Sequence, residues 1–237
     1  MNESEFLKNY DIRAYAAPLV SVDSVLFTYH DRVFKVLLVK RAGHPEMGKW
    51  GLPGGFIDVE HDQVLEDAAL RKLREKTGVT PPYIEQLATL GNAVRDKRGW
   101  SVTICYTALI AHQECLTGIS TVSDVCWMDY AAVEREDLAF DHMDIIRLAR
   151  ERLRQKALYS IVPAYALPER FTLPELQHLH ELLIGKKLQK KSFRRRVEQA
   201  DLLEETPEKR AEGGRPATLY TLKRGAGSFT FIRNIGE

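Results

Sequence analysis

Apolar and polar positions change period several times along the chain, and each change marks an element. Residues 19–28 and 33–40 are β-branched or apolar runs parted by His30 and Asp31, which predicts a hairpin. The stretch 42–55 is rich in turn formers and predicts a loop. Between Gln63 and Thr77 the pairs Val64/Ala68 and Leu65/Ala69/Leu73 recur at helical spacing, Gly78 suits the residue just past a helix end, and Pro81-Pro82 prevents continuation. Two more strands, 84–93 and 101–111, flank the turn-like Asp96-Lys97-Arg98-Gly99, and a short one follows at 125–128. From 141 to 158 Ile145, Ala149, Leu153 and Ala157 repeat every four residues, with Asp141 and Asp144 placed to cap a long helix. Strands, helix, strands, helix predicts an α/β domain: a mixed sheet with helices on both faces.

The pattern then restarts. Pro163 and Pro168 bracket a short linker, after which Thr172 and Glu175 form a capping-box pair ahead of Leu176, Leu179 and Leu183. This predicts a helix over 173–184, ended by Gly185, and a new core. The next run, KKLQKKSFRRR at 186–196, holds seven basic residues and no acidic one. A charge run is by default a solvated face. Here Phe193 and Val197 lie one turn apart and turn inward, which puts Lys191, Ser192 and Arg195 on the opposite side, with Arg194 and Arg196 flanking them and Lys190 opening the helix. Two strands near 202–205 and 218–223 follow around the GGRP at 213–216. Helix, turn, helix and hairpin together predict a winged helix-turn-helix, with the basic helix in the major groove of double-stranded DNA and Gly214 and Arg215 at the hairpin tip on a phosphate or the minor groove. The expected division is 1–162 and 163–237.

Charge sharpens this division. The net charge of the 237 residues is +1, yet residues 166–237 carry fourteen basic against ten acidic residues, so the excess positive charge sits in the segment that would meet a polyanion. No run of about 18 apolar residues exists, and MNESEFLKNYDIRAY is too polar for a signal peptide, so the expected location is the cytoplasm, without membrane contact. Cys105, Cys115 and Cys126 are odd in number and lack zinc-site or disulfide-framework spacing, which predicts reduced thiols.

The strongest chemical signal in the first domain is GKWGLPGGFIDVEHDQVLEDAALRKLREKTGV, residues 48–79. It resembles the Nudix box, whose pattern is Gly, five residues, Glu, seven residues, then Arg-Glu-aliphatic-any-Glu-Glu-any-Gly-aliphatic. Gly55 opens the match after LPGG, and Arg71, Leu73, Glu75, Gly78 and Val79 close it. In the family, glutamates on the helix hold magnesium against a pyrophosphate, because a hard cation needs oxygen ligands. Here the corresponding face carries Lys72, Glu75 and Lys76, the spacer is two residues longer, and His61 stands where the first glutamate belongs, with Glu60 beside it. Two ammonium groups around one carboxylate repel a divalent cation, so no metal and no catalytic residue is expected. What remains suits binding without cleavage. Gly54 and Gly55 permit close approach, and Arg41, Lys49, Arg71, Lys72 and Lys76 are candidate phosphate partners around Glu75. Trp50 and Phe56 serve either to stack on a base or as core.

A damaged Nudix box followed by KSFRRR and GRPATLYTL is similar to the Nudix-related transcriptional regulators of NAD metabolism in bacteria. The resemblance implies a Nudix-like α/β/α sandwich for effector binding and dimerisation, joined to the winged helix. It implies a homodimeric repressor of NAD biosynthesis or related genes, nucleoid-associated when bound to a palindromic operator, and released from it by ADP-ribose. The competing expectation is an active ADP-ribose pyrophosphatase with a nucleic-acid-binding tail.

Overall fold

The computed structural model of the chain describes residues 2–115, 120–211 and 216–231. After a short helix α1 (Glu3–Asn9), strands β1 (Leu19–His30) and β2 (Val33–Arg41) form the expected hairpin. Its two-residue turn is Asp31-Arg32, one position later than the sequence suggests, and both residues adopt positive φ (50° and 62°), the conformation that matches the strand twist. The predicted loop at 42–55 contains two very short strands, β3 (Trp50–Gly51) and β4 (Gly54–Phe56). Runs of two and three residues are too brief to show a period.

Helix α2 (Leu65–Thr77) ends on Gly78 in the left-handed region (φ 73°), whose amide donates to Arg74 O. Strands β5 (Tyr83–Asn92), β6 (Ser101–Leu109) and β7 (Val122–Asp129) complete the sheet, with pairing order β3-β2-β1-β6-β5, β4 on β1 and β7 on β2. The sheet is mixed, as expected: β1 and β6 are parallel and the other pairs antiparallel. A single turn α3 (Tyr130–Val133) then leads to α4 (His142–Ala157).

Alternation along the strands builds the two layers. Val22 and Leu26 of β1 and Leu37 of β2 pack toward α2 with Ala68, Ala69 and Leu73. Val25, Phe27 and Tyr29, with Phe34, Val36 and Leu38, pack toward α4 with Ile145, Ile146, Ala149 and Leu153. Asp141 precedes α4 but makes no side-chain cap. Its carboxylate is taken by Arg95 instead.

The second half folds as a helix-turn-helix and hairpin: α5 (Leu173–Ile184), α6 (Lys190–Ala200), β8 (Leu203–Arg210) and β9 (Ala217–Leu222). The Thr172/Glu175 capping box forms reciprocally and Gly185 ends α5 at φ 75°. The expectation of a new core is not met. The linker expected between Pro163 and Pro168 overlaps a 3-10 turn (Val162–Ala166); Ile161, Val162, Ala164, Ala166 and Leu167 are buried, and the cluster that holds Phe27 and Ile145 continues through them to Leu176, Leu179 and Val197. Pro163 interrupts helix periodicity without exposing the chain, which reaches the surface only at Pro168, and the apolar residues between them draw the segment inward.

Candidate functional site

The sheet parts where β1 changes partner. Ser21–Asp23 pairs with Gly54–Phe56, whereas Phe27–His30 pairs with Val33–Val36. A cleft of about 510 Å³ opens beside this change of partner, bounded by β1, the end of β2, β4, α2, the β5–β6 turn and the start of α4. Gly54 makes the close approach possible, since a Cβ there would collide with the Asp23 carboxylate and the Val22 carbonyl. Gly55, at φ 156°, lies against the Lys72 stem.

The cleft is rich in cations. Arg41, Lys72, Lys76, Arg95 and Arg98 line it against the carboxylates of Asp23, Glu75 and Asp96. On the α2 face both Glu75 oxygens are occupied: Arg71 Nη1 donates to Oε1 at 3.0 Å and Lys72 Nζ to Oε2 at 2.9 Å. Burial opposes ionisation of Glu75, but these two hydrogen bonds prevail and hold its carboxyl below the ordinary value. Among the described residues no group of three or more His, Cys, Asp or Glu side chains is placed to hold a metal ion. His61 and Glu60 face solvent outside the cleft, His61 paired with Asp58. A carboxylate already bonded to two cations and flanked by Lys76 is a poor oxygen ligand, so this face does not fit the divalent ion of an intact Nudix box.

Lys76 differs from its neighbours. Burial lowers its pKa, and among the described residues no carboxylate pairs with it. Burial likewise lowers Arg41, whose guanidinium stacks 4.8 Å over the Phe140 ring. Across the cleft Arg98 stacks 4.9 Å over Phe56 and donates to Asp96, holding that carboxyl below its usual range. Two aromatic faces and a group of cations therefore share one opening, a composition that suits an aromatic base joined to phosphates.

The floor is a buried polar network. Thr103 Oγ1 donates to Asp23 at 2.7 Å, and Arg95 lies 3.6 Å from the same carboxylate while forming two bonds to Asp141 at 2.9 and 3.0 Å. His142 Nδ1 accepts the Leu52 amide at 2.8 Å, which leaves the proton on Nε2, 3.7 Å from Asp23. Burial holds this imidazole neutral at physiological pH.

Of the effector residues read from sequence, the fold brings Arg41, Gly54, Gly55, Phe56 and Glu75 into the cleft. Three do not line it. Lys49 pairs outside with Glu46 and Asp137, Trp50 packs on the core under Lys40, and Arg71 is bonded to Asp62 and Glu75. Asp23, Arg95, Asp96, Arg98, Phe140 and His142 escaped the sequence reading. The available signal was the dense VRDKRGW charge cluster at 94–100, which reads as a turn and is only brought to the cleft by the β5–β6 hairpin.

The second site is α6. Its N-cap is Gln189, whose side chain accepts the Ser192 amide. Val197 is buried and Phe193 half-buried against His180, as the spacing predicts. Lys190, Lys191, Ser192, Arg195 and Arg196 are exposed and Arg194 is half-buried, and among the described residues none of these cations pairs with a carboxylate. Ser192 and Arg196 also border a smaller cavity of about 200 Å³ between α6 and the end of α4. Gly214 and Arg215 lie outside the described residues. Glu181 organises the turn before α6, accepting from the Leu188 amide and Lys187. Elsewhere burial pushes the free Cys105 thiol up to about 12 and those of Cys115 and Cys126 up to about 11, so all three stay protonated.

Comparison with known proteins agrees with this pairing of sites. Residues 17–149 match the NUDIX domain family and residues 163–222 the NrtR DNA-binding winged helix domain. The chain is 41% identical over 232 residues to the ADPR responsive transcriptional repressor NtrR of Acinetobacter baylyi, covering 98% of this chain and 93% of the relative. Among solved structures it is similar to Shewanella oneidensis NrtR complexed with a 27mer DNA, with 63% identity and TM-score 0.86 over 91% of this chain and 99% of that one. The NUDIX domain of the same Shewanella protein, complexed with ADP ribose, matches at 60% identity and TM-score 0.64 over 65% of this chain and 99% of that one. The chain belongs to the NrtR family of Nudix-related transcriptional regulators, in which a Nudix domain carries a DNA-binding winged helix.

Proposed function

We propose that this chain is a transcriptional repressor of NAD biosynthesis or related genes, which leaves its operator when ADP-ribose occupies the Nudix cleft. The observation that carries this reading is the presence in one continuous core of two cationic surfaces of different shape: a concave one with aromatic walls and a convex one on α6. The concave surface suits a nucleotide; the convex one suits the phosphates and base edges of a groove. Arg41, Lys72, Lys76, Arg95 and Arg98 hold the pyrophosphate, and Phe56 and Phe140 flank the base. Lys191, Ser192, Arg194 and Arg195 meet the DNA. Two chains read a palindrome as a two-fold dimer, one half-site each, and the protein works in the cytoplasm on the nucleoid.

Hydrolysis plays no part in this reading, because Glu75 is spent on Arg71 and Lys72. A gel-shift titration tests the function: DNA selected by the full-length chain from random duplexes should be released by ADP-ribose, and complexes that persist at saturating ADP-ribose would rule out induction. Magnesium-dependent formation of AMP from ADP-ribose by the purified protein would favour the pyrophosphatase reading instead.

A further inference from the structure

Helix α4 touches both sites. Its N-terminal flank forms the cleft floor through Asp141, bonded to Arg95, and His142, bonded to the Leu52 amide. Eight residues on, about 12 Å along the helix, Arg150 reaches into the winged helix. Its Nη1 donates to Leu183 O at 2.9 Å and its Nη2 to Leu182 O at 3.1 Å.

These carbonyls belong to the last turn of α5, where backbone acceptors lack partners within the helix. The amides of Gly185 and Lys186 both turn back to Glu181 O, so neither serves Leu182 or Leu183. Helix α5 also has no basic residue in its own last turn. Arg150 therefore supplies, from the Nudix half, the donors and the positive charge that this terminus needs. Its guanidinium lies 5.6 Å from the Phe34 ring and 5.9 Å from the Tyr130 ring, and among the described residues no carboxylate pairs with it. A planar group held between two rings and two carbonyls has a fixed direction, which a flexible ammonium would lack.

We propose that Arg150 is the positioning residue that transmits occupancy of the cleft to the DNA-binding helix. An anion entering the cleft draws Arg95 away from Asp141 and frees the start of α4. Arg150 then carries the movement of α4 to the end of α5 and the turn that sets α6. The inference deepens the repressor reading and rests on it.

The test uses the full-length chain, its Arg150→Lys and Arg150→Met variants, and DNA selected by the wild type. Calorimetry gives the affinity for ADP-ribose, and fluorescence anisotropy gives DNA affinity with and without saturating ADP-ribose. The wild type should lose about tenfold or more in DNA affinity on saturation, within the usual range of coupling between sites. Both variants should bind ADP-ribose and unliganded DNA within about threefold of wild type, while their loss on saturation falls to about threefold or less. Variants that retain the full wild-type loss would overturn the role of Arg150 and leave the repressor reading intact. So would variants that bind DNA poorly in both states, which assigns Arg150 to folding alone. A wild type whose DNA affinity ignores ADP-ribose would instead overturn the repressor reading, and this inference with it.

Discussion

Replacing Lys76 by methionine separates binding from stability. Lys72 is committed to Glu75, and Glu75 divides its oxygens between Lys72 and Arg71, so the Lys76 ammonium sits in the cleft among Arg41, Lys72 and Asp23 with no carboxylate paired to it among the described residues. An anion in the cleft completes its coordination. Deleting a hydrogen bond to a charged group costs about 1.5–3 kcal/mol, so Lys76→Met should weaken ADP-ribose about 10- to 150-fold in a calorimetric titration. Stability should move the other way. Burial lowers the lysine pKa from its ordinary 10.5, so the folded state carries a penalty for the charged form that the unfolded chain does not. Methionine keeps the alkyl stem and removes the charge, so the variant's Tm should rise above that of the wild type. The sign has a further consequence. Between its folded pKa and 10.5 the unfolded chain binds the extra proton, so wild-type stability gains on the variant as pH rises through that window. Affinity within twofold of wild type, or a fall in Tm, would refute the assignment of Lys76 as an unpaired phosphate ligand.

Three other outcomes follow from the same geometry. Lys191→Ala and Arg195→Ala should each lower DNA affinity and reduce the slope of log K against log salt by about 1; anisotropy at several salt concentrations measures this, and an unchanged slope removes that residue from the phosphate contacts. Because one core runs from the sheet into α5, calorimetry should show a single unfolding transition, and Leu179→Ala, at a fully buried site, should lower the whole transition by about 2–5 kcal/mol; two transitions, of which only one shifts, would mean the halves fold separately. His142 and His180 are buried with pKa values lowered by desolvation, so as pH falls below 6.5 the unfolded chain takes up protons that the folded one refuses, and urea midpoints should fall between pH 7.5 and 5.5. His180→Gln should flatten part of that slope, whereas an unaltered slope would clear His180 of the effect.

The sequence made most elements legible because each carried its own period and stop signal. The Gln63–Thr77 repeat with Gly78 gave α2, and the Thr172/Glu175 pair with Gly185 gave α5. The helix face bearing Lys72, Glu75 and Lys76 was equally readable, since positions three and four apart share a face in any helix. Contacts between elements were not. Arg95 and Asp141 are 46 residues apart and Asp23 and Thr103 are 80 apart, so nothing local ties them to the glycines at 54 and 55. Arg71 does not line the cleft, for a related reason. Motif matching placed it beside the site, but Asp62, held to about pH 2 by that same arginine, lies nine residues earlier and turns it away from the cleft. Pro163 misled in the other direction, because proline breaks a helix equally well on the surface and in a core.

The charge reversal on α2 explains why a Nudix fold can serve as a sensor. Catalysis needs interactions that strengthen as charge develops in the transition state, and a metal ion gathered by glutamates supplies them. Here Lys72 and Arg71 are bonded to Glu75 before any ligand arrives, so in the proposed reading the cleft offers cations to a resting pyrophosphate rather than a metal ion to its cleavage. Binding free energy that does not lower a reaction barrier can instead bias a conformation. The contact that makes this possible is Arg95 with Asp141, since an anion gains full hold of Arg95 only as that pair opens. The cleft thus exchanges an internal carboxylate for an external phosphate, and the internal one is attached to the helix that grips the DNA-binding half.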